Sequence, residues 1–347
     1  MDEVFISFEA RQRKLEQAQR AVEAVLAETQ SAIATLQQRP DPVVVETGLF
    51  DIKNLGYEIG RRLAEQTLLQ RSVGADHTSL ASKLCTQNDF ATDWFAYWCQ
   101  ELKTFPVYHR KVWELCYVAQ ALFADGQLVA GRRGLGFGCG EEPLPSLFAK
   151  YGVRVTATDL EATRPEAQVW RQTAQHAGMI ETIRRPEICP DPELLANIEF
   201  RPADMNAITD EFYEQYDFCW STCALEHLGS LEKGLTFIEN SLRTLKPGGL
   251  AVHTTEFTLS KRQTIDNHPI VLYQRTHLEE LADRLQAQGY RVSAFDFSVG
   301  DGIMDRFIDI PPYYDRDNNL FPLYHSAHLK LLFDGYVCTS VGIIIKR

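Results

Sequence analysis

From Arg132 onward the chain alternates short apolar runs with amphipathic stretches, a pattern open to few folds. Leu135-Gly136-Phe137 ends a first run, and residues 153–158, closed by Asp159, make a second. Ile198-Glu199-Phe200 begins a third, 216–221 is a fourth, and Lys246-Pro247-Gly248-Gly249 feeds a fifth at 250–255. Between them Pro143 opens a helix with Leu144, Leu147, Phe148 and Tyr151 on one face and Gly152 as its stop. Asp191-Pro192 caps another, and Leu231, Leu235, Ile238, Leu242 and Leu245 step by four and three, as a sheet-facing helix does. Thr276 and Glu279 have capping-box spacing for a helix reaching Gln288, and 290–297 and 336–346 are expected late strands. Alternating strands and helices predict an α/β fold with a doubly wound, mostly parallel sheet.

In such sheets a ligand sits beyond the carboxyl ends of the strands, near the first turn. Here that turn is GLGFGCGEE, with Gly136, Gly138 and Gly140 alternating before Glu141 and Glu142. A dinucleotide site spaces its glycines G-x-G-x-x-G, and Glu141 occupies the place of its third glycine. A pyrophosphate would be repelled there, which counts against a dehydrogenase. A cofactor without phosphate and with a cationic centre suits the turn, and S-adenosylmethionine has a sulfonium and an ammonium.

Residues 1–40 carry a seven-residue repeat, Phe8, Leu15, Val22, Thr29 and Leu36, with Leu26 and Ile33 in the intermediate seam after the polar Gln12 and Gln19. The segment is either a short coiled coil or a helix laid on the body, and Pro40-Asp41-Pro42 detaches it. A self-associating helix would make the protein a homo-oligomer. Residues 41–130 read as a helical cap, either a lid or an independent domain, and 131–347 as the catalytic domain. A formal charge of −12 disfavours nucleic acid. The eight scattered cysteines contain no CxxC pair and read as buried thiols. No basic leader with an apolar core and no membrane-spanning run is visible, so the expected location is cytoplasmic.

Residues 132–257 resemble the core of the class I S-adenosylmethionine-dependent methyltransferases. GLGFGCG stands at the glycine motif, DFCWSTCALEHL resembles the fourth-strand motif, and LKPGGLAVHTTEF the motif before the fifth strand. The resemblance implies a seven-stranded sheet closed by a reversed hairpin. It implies cofactor contacts from Gly136, Phe137, Gly138, Gly140, Asp159 (on the ribose hydroxyls), Leu160, Asp204 with Met205 (framing the adenine) and Ser221. One departure stands out. The acid often found two residues before the first glycine is Gly134 here, so the methionine end must be organised from elsewhere, with Arg110, Lys111 or Glu114 as candidates.

Methyl transfer is an in-line displacement, and a hydroxyl acceptor also needs a base. His227, Glu226 and Glu256 follow the fourth and fifth strands and are the catalytic candidates, whereas His253 is a candidate for burial within the sheet. A long segment after the sixth strand is rich in Asp, Tyr and His, including Asp309 and His328. Asp301, Asp305, Tyr313 and His325 are expected to bind an acceptor, because rings and carboxylates suit a sugar. Asp301, Asp305 and His325 also suit a divalent metal, but no tight ligand motif supports one, and none is expected.

HRKVWELCYVAQAL, GRRGLGFG and DIPPYY resemble uncharacterised bacterial methyltransferases associated with surface-polysaccharide glycosyltransferases. That resemblance implies a hydroxyl of a glycan or nucleotide-sugar as acceptor, with glycosyltransferases as neighbours. A small non-sugar acceptor and a non-catalytic scaffold keeping the fold are the alternatives.

Overall fold

The computed structural model describes residues 16–17, 19–20, 22–31, 42–68, 73–161, 180–261, 263–311, 313 and 327–347. The expected central alternation is present. Strands β1 (Ser82–Leu84), β2 (Arg133–Phe137), β3 (Arg154–Asp159), β4 (Ile198–Pro202), β5 (Tyr216–Thr222) and β6 (Leu245–Thr258) are followed by β7 (Arg291–Val292), β8 (Phe295–Asp296), β9 (Ile308–Asp309), β10 (Lys330–Phe333) and β11 (Tyr336–Lys346). They share one sheet in the order β4-β3-β2-β5-β6-β11-β1-β8, with β10 and β7 also pairing β11 and β9 pairing β10. The five strands β4-β3-β2-β5-β6 are parallel, and β11 reverses against β6 from Cys338↔Thr258 to Lys346↔Leu250. This is the Rossmann-like frame with its reversed closing strand.

Side-chain alternation divides the core between the two faces of the sheet. Phe218, Trp220, Leu250 and Val252 face the cluster built on α3 (Arg110–Ala124) and α4 (Leu144–Lys150). Cys219, Ala251, Ile343 and Ile345 face the cluster with α5 (Leu231–Ser241) and α6 (Arg275–Ala287). The aromatic rings explain the glycine content of β2. An added Cβ on Gly134 would lie 2.4 Å from the Phe218 ring, and one on Gly136 would lie 2.4 Å from Trp220 and 2.3 Å from Cys139 Sγ. Gly134, which stands where the family often has an acid, therefore has no room for any side chain. Gly136→Ala is expected to cost about 1–3 kcal/mol of stability through overpacking, read as a lower denaturation midpoint.

Several local expectations shift. The helix expected to begin at a Thr276/Glu279 box is α6, capped at Gln274, whose backbone N–H donates to His277 Nδ1 at 3.1 Å. The fifth strand is longer than 250–255 because β6 follows β5 from Tyr216↔Leu245, across an irregularity, to Thr222↔Thr254 and then continues to Thr258. β1, which no periodicity announces, enters the sheet through Lys83↔Gly342 and Leu84↔Val341. Residues 22–31 are helical, and Val22 and Leu26 rest against the core of the same chain. Phe8, Gln12, Leu15, Ile33 and Leu36 lie outside the described residues. Among the described residues no helix is long and apolar enough to cross a membrane.

Candidate active site

The carboxyl ends of β3, β2 and β5 lie side by side and build a cradle from the glycine turn. Gly138 and Gly140 have φ of +59° and +49°, in the left-handed region that favours glycine. A Cβ on Gly138 would fall 2.8 Å from Ala224 Cβ and 3.3 Å from Met205 Sδ, so this turn, the segment after β4 and the segment after β5 converge there. Cys139 N–H donates to Thr158 O at 2.9 Å, and Thr158 Oγ1 donates to Gly136 O at 2.7 Å, fixing the turn on β3. Asp159 then receives Gly140 N–H on Oδ2 at 3.2 Å and Leu160 N–H on Oδ1 at 2.7 Å. These two bonds fix the Asp159 carboxylate beside the glycine turn. Asp204 Oδ1 accepts Asn206 N–H at 2.9 Å, shaping the turn that presents the buried Met205.

Two residues of the expected cofactor set face away. Phe137 is buried with its ring edge-on to Phe237, centroids 5.2 Å apart. The Ser221 hydroxyl lies 2.8 Å from His253 Nδ1, and the other ring nitrogen of His253 lies 3.1 Å from Ser241 Oγ. Any ligand contact by Phe137 or Ser221 falls to the backbone. Burial holds His253 down to about 3, so it is a neutral core histidine, as its place within the sheet suggested.

Beyond the cradle, the ends of β5 and β6 meet the first turn of α3. Arg110, almost fully buried, reaches Glu256 Oε1 at 2.6 Å through Nη2. Its Nη1 reaches Glu114 Oε1 at 3.2 Å and Ser340 Oγ at 3.1 Å, with Cys223 Sγ 3.9 Å away. Lys111 Nζ lies 3.5 Å from Glu114 and 3.9 Å from Glu256. Glu226, fully buried, accepts Thr255 Oγ1–H at 2.9 Å on Oε2, while its Oε1 has no hydrogen-bond partner among the described residues. Burial raises the Glu226 carboxyl above the usual range. Burial also opposes charge on Glu256, but Arg110 and then Lys111 hold it below that range. His227 shares the 3₁₀ turn Leu225–His227, with Nδ1 3.0 Å from Pro269 O and Nε2 3.9 Å from Glu226 Oε1.

Cys223, Glu226 and Glu256 offer ligand atoms within 4.8 Å of one another. Cys223 holds φ +44°, a left-handed conformation uncommon for a non-glycine residue and typical of functional turns. The positive charges of Arg110 and Lys111 stand against a divalent ion between these three. A hydrogen-bond donor such as a hydroxyl suits the trio better. Of the three candidates for the methionine end, Arg110, Lys111 and Glu114 are already engaged with one another.

A family model described as a methyltransferase domain matches residues 108–298, more than half of the chain. The chain belongs to this methyltransferase domain family. No curated protein matches it. Among solved structures it is similar to Haemonchus contortus phosphoethanolamine N-methyltransferase 2 in complex with S-adenosyl-L-methionine, with 18% identity over 50% of this chain and 36% of that one and a TM-score of 0.34. It is also similar to a SAM dependent methyltransferase from Aquifex aeolicus (14%, 65% of this chain and 88% of that one, TM-score 0.34). An S-adenosylmethionine dependent methyltransferase from Mesorhizobium loti matches at 15%, over 65% of this chain and 96% of that one, with a TM-score of 0.35. The chain spans between 36% and 51% of the length of the first three solved structures it matches. These likenesses are distant, and the assignment stands on the family model and the strand order.

The residues expected to bind a sugar in this methyltransferase domain separate. Asp305 is buried, its Oδ1 receiving Gln87 N–H at 2.9 Å and its Oδ2 Gly302 N–H at 3.2 Å, with Lys330 Nζ 3.5 Å from Oδ1. That carboxylate therefore holds the fold together and is not offered to an open groove. Asp301 is exposed, and its carbonyl accepts from Arg306. The Tyr313 hydroxyl donates to Leu332 O. His325 lies outside the described residues.

Two other residues of that segment form a buried cluster. Asp309 pairs with Lys53 Nζ at 2.9 Å and accepts Tyr57 OH at 2.9 Å and His328 Nδ1–H at 2.6 Å. His328 stacks on His109, the N-cap of α3, with centroids 4.8 Å apart. Its backbone N–H donates to Tyr108 O and its carbonyl accepts from Arg110 N–H. α1 (Pro42–Thr67), which supplies Lys53 and Tyr57, is thereby fastened behind the α3 turn that supplies Arg110.

Proposed function

We propose that the protein is an S-adenosylmethionine-dependent methyltransferase that methylates a hydroxyl of a sugar, in a glycan or a nucleotide-sugar. The carrying observation is the buried Glu226 Oε1, without a hydrogen-bond partner among the described residues and set beside Cys223 and Glu256, groups that suit a hydroxyl donor. The turn fits the cofactor. Asp159 sets a carboxylate against the glycine turn, where the family resemblance puts the ribose contact, Met205 and Ala224 flank the space that a Cβ on Gly138 would fill, and the adjacent acids suit a cation.

When bound, S-adenosylmethionine supplies a methyl group on a positively charged sulfur, an already activated carbon. The chain's own work is then alignment and proton handling. Glu226 accepts the acceptor's proton at Oε1. Glu256, held charged by Arg110, keeps the guanidinium in place, and His227 borders the same space. The sugar acceptor and neighbouring glycosyltransferases are supported by the resemblance of 105–347 to polysaccharide-associated methyltransferases. A cytoplasmic location, homo-oligomers through the N-terminal helix, and the division into 1–40, 41–130 and 131–347 belong to the same proposal.

Calorimetric titration with S-adenosylhomocysteine and, separately, NAD tests the cofactor. We expect binding of the first alone, weakened about 30-fold by Asp159→Ala, the loss of about 2 kcal/mol of charge-assisted hydrogen bonding. Methyl-labelled S-adenosylmethionine offered with nucleotide-sugars, phenols and amines tests the acceptor. Label in a phenol or an amine but in no sugar would replace the sugar with a small metabolite.

A further inference from the structure

We infer that Glu142 receives the ammonium of the cofactor's amino-acid end, the role that Gly134 leaves vacant. The inference rests on the S-adenosylmethionine reading above and names a residue for the part of the ligand that the reading leaves unassigned.

Glu142 follows the glycine turn directly but does not belong to its backbone cradle. Its Oε1 receives Trp220 Nε1–H at 2.6 Å and its Oε2 receives the Thr222 hydroxyl, both from the carboxyl end of β5. The residue is half-buried, and these donors fix its carboxylate beside the end of β5. Its donors are all neutral, the Cys139 thiol of the turn included, and among the described residues no cation pairs with it. That sets it apart from Glu114 and Glu256, which share Arg110 and Lys111. Glu141 differs again, because among the described residues the bond it makes is through its carbonyl, which accepts from Arg185.

Position selects the ammonium. β3, β2 and β5 are successive neighbours in the sheet. Asp159 at the end of β3 and the Glu142 carboxyl, bonded to Trp220 and Thr222 near the end of β5, therefore flank the turn, two strand spacings or about 10 Å apart. A nucleoside whose ribose is held by Asp159 lays its 5′ tail across the turn toward Glu142. A carboxylate fixed by neutral donors gains most from a ligand that brings a cation. Burial raises the Glu142 carboxyl to about 7, with Asp159 across the turn also raising it and the Thr222, Trp220 and Cys139 donors opposing. A bound ammonium lowers it again, so binding near neutral pH expels the proton from the protonated fraction of Glu142.

The test titrates S-adenosylhomocysteine and its deaminated keto analogue into the wild type and Glu142→Gln. The variant keeps the shape of the side chain and its bonds from Trp220 and Thr222 in part. We expect it to weaken S-adenosylhomocysteine at least about tenfold and to leave the keto analogue within about twofold, since only the charge pair is lost. A second measurement needs no variant. In buffers of different ionisation enthalpy at pH 7, wild-type binding of S-adenosylhomocysteine should release about half a proton, the protonated fraction of a carboxyl near 7, and binding of the keto analogue should not. Equal weakening of both ligands, no weakening of either, or no proton release would overturn the assignment. If the wild type binds neither ligand, the cofactor reading itself falls and takes the assignment with it. Binding of S-adenosylhomocysteine that depends on Asp159 but not on Glu142 sinks the assignment alone.

Discussion

Replacing Arg110 by methionine is expected to lower the free energy of unfolding by about 3–5 kcal/mol, the usual cost of removing one member of a buried charge network. Arg110 is 6% exposed and sits between Glu114, Glu256 and Ser340. Methionine fills much of the same volume, so the loss is electrostatic more than one of packing. Glu256 is left buried with Lys111, 3.9 Å away, as the nearest lysine or arginine among the described residues. The pH dependence carries the signature. In the wild type the Glu256 carboxyl lies below its ordinary value of 4.5. Its contribution is therefore full above that value and is lost as the pH falls through the native one. In the variant, burial without Arg110 raises the same carboxyl, and the sign reverses: the native state then takes up the proton first and gains stability as the solution is acidified. Urea titrations from pH 7 to pH 4 should show the deficit narrowing, and adding Glu256→Gln to the variant should restore part of it. A deficit that stays constant across this range, or a loss under about 1 kcal/mol, would mean that the network does not behave as a coupled unit.

The parts of this molecule that were legible in the sequence are those that local patterning controls. β3 and β5 are short apolar runs closed by Asp159 and Thr222, and α5 carries a single apolar stripe, so period and punctuation suffice. The glycine turn was legible because its backbone needs glycine. What stayed hidden depends on partners far away in the chain. β1 is three residues, Ser-Lys-Leu, and becomes a strand only because β11 lies beside it. The same holds for the site. Arg110, Lys111 and Glu114 occur at helical spacing, which reads also as a solvated face, and the burial of Arg110 and Glu114 follows from the arrival of Glu256 and Ser340 from β6 and β11. Asp309 and His328 stood out only as members of a segment rich in such residues. The charge that joins them to α1 comes from Lys53, more than 250 residues earlier. Asp305 shows the converse. Its residue type suggested a sugar ligand, but Gln87 and Gly302 supply the backbone donors that hold it in the core.

Glu226→Gln should reduce the rate of methyl transfer about 100-fold or more while leaving S-adenosylhomocysteine affinity unchanged, the range expected for removing a general base. The geometry separates this residue from its neighbours. Glu256 is committed to Arg110 at 2.6 Å and is held charged, which makes it a poor proton acceptor and a good anchor. Glu226 is buried, bonded through Oε2 to Thr255, and its Oε1 is unsatisfied among the described residues. Burial shifts its carboxyl upward, toward the range in which a carboxylate serves best as a base near neutrality. The glutamine variant can retain an acceptor oxygen and the packing but cannot take up a proton. The wild-type rate on its acceptor should therefore climb with pH as Glu226 ionises, along a limb lying above the ordinary carboxylate range. The residual rate of the variant should lack that limb. Glu256→Gln should instead lower stability and affect the rate through Arg110, with the limb preserved. Should Glu226→Gln keep the pH limb, or lose cofactor affinity in proportion to rate, proton transfer belongs to another group, and the Glu226 oxygen serves only to orient the acceptor.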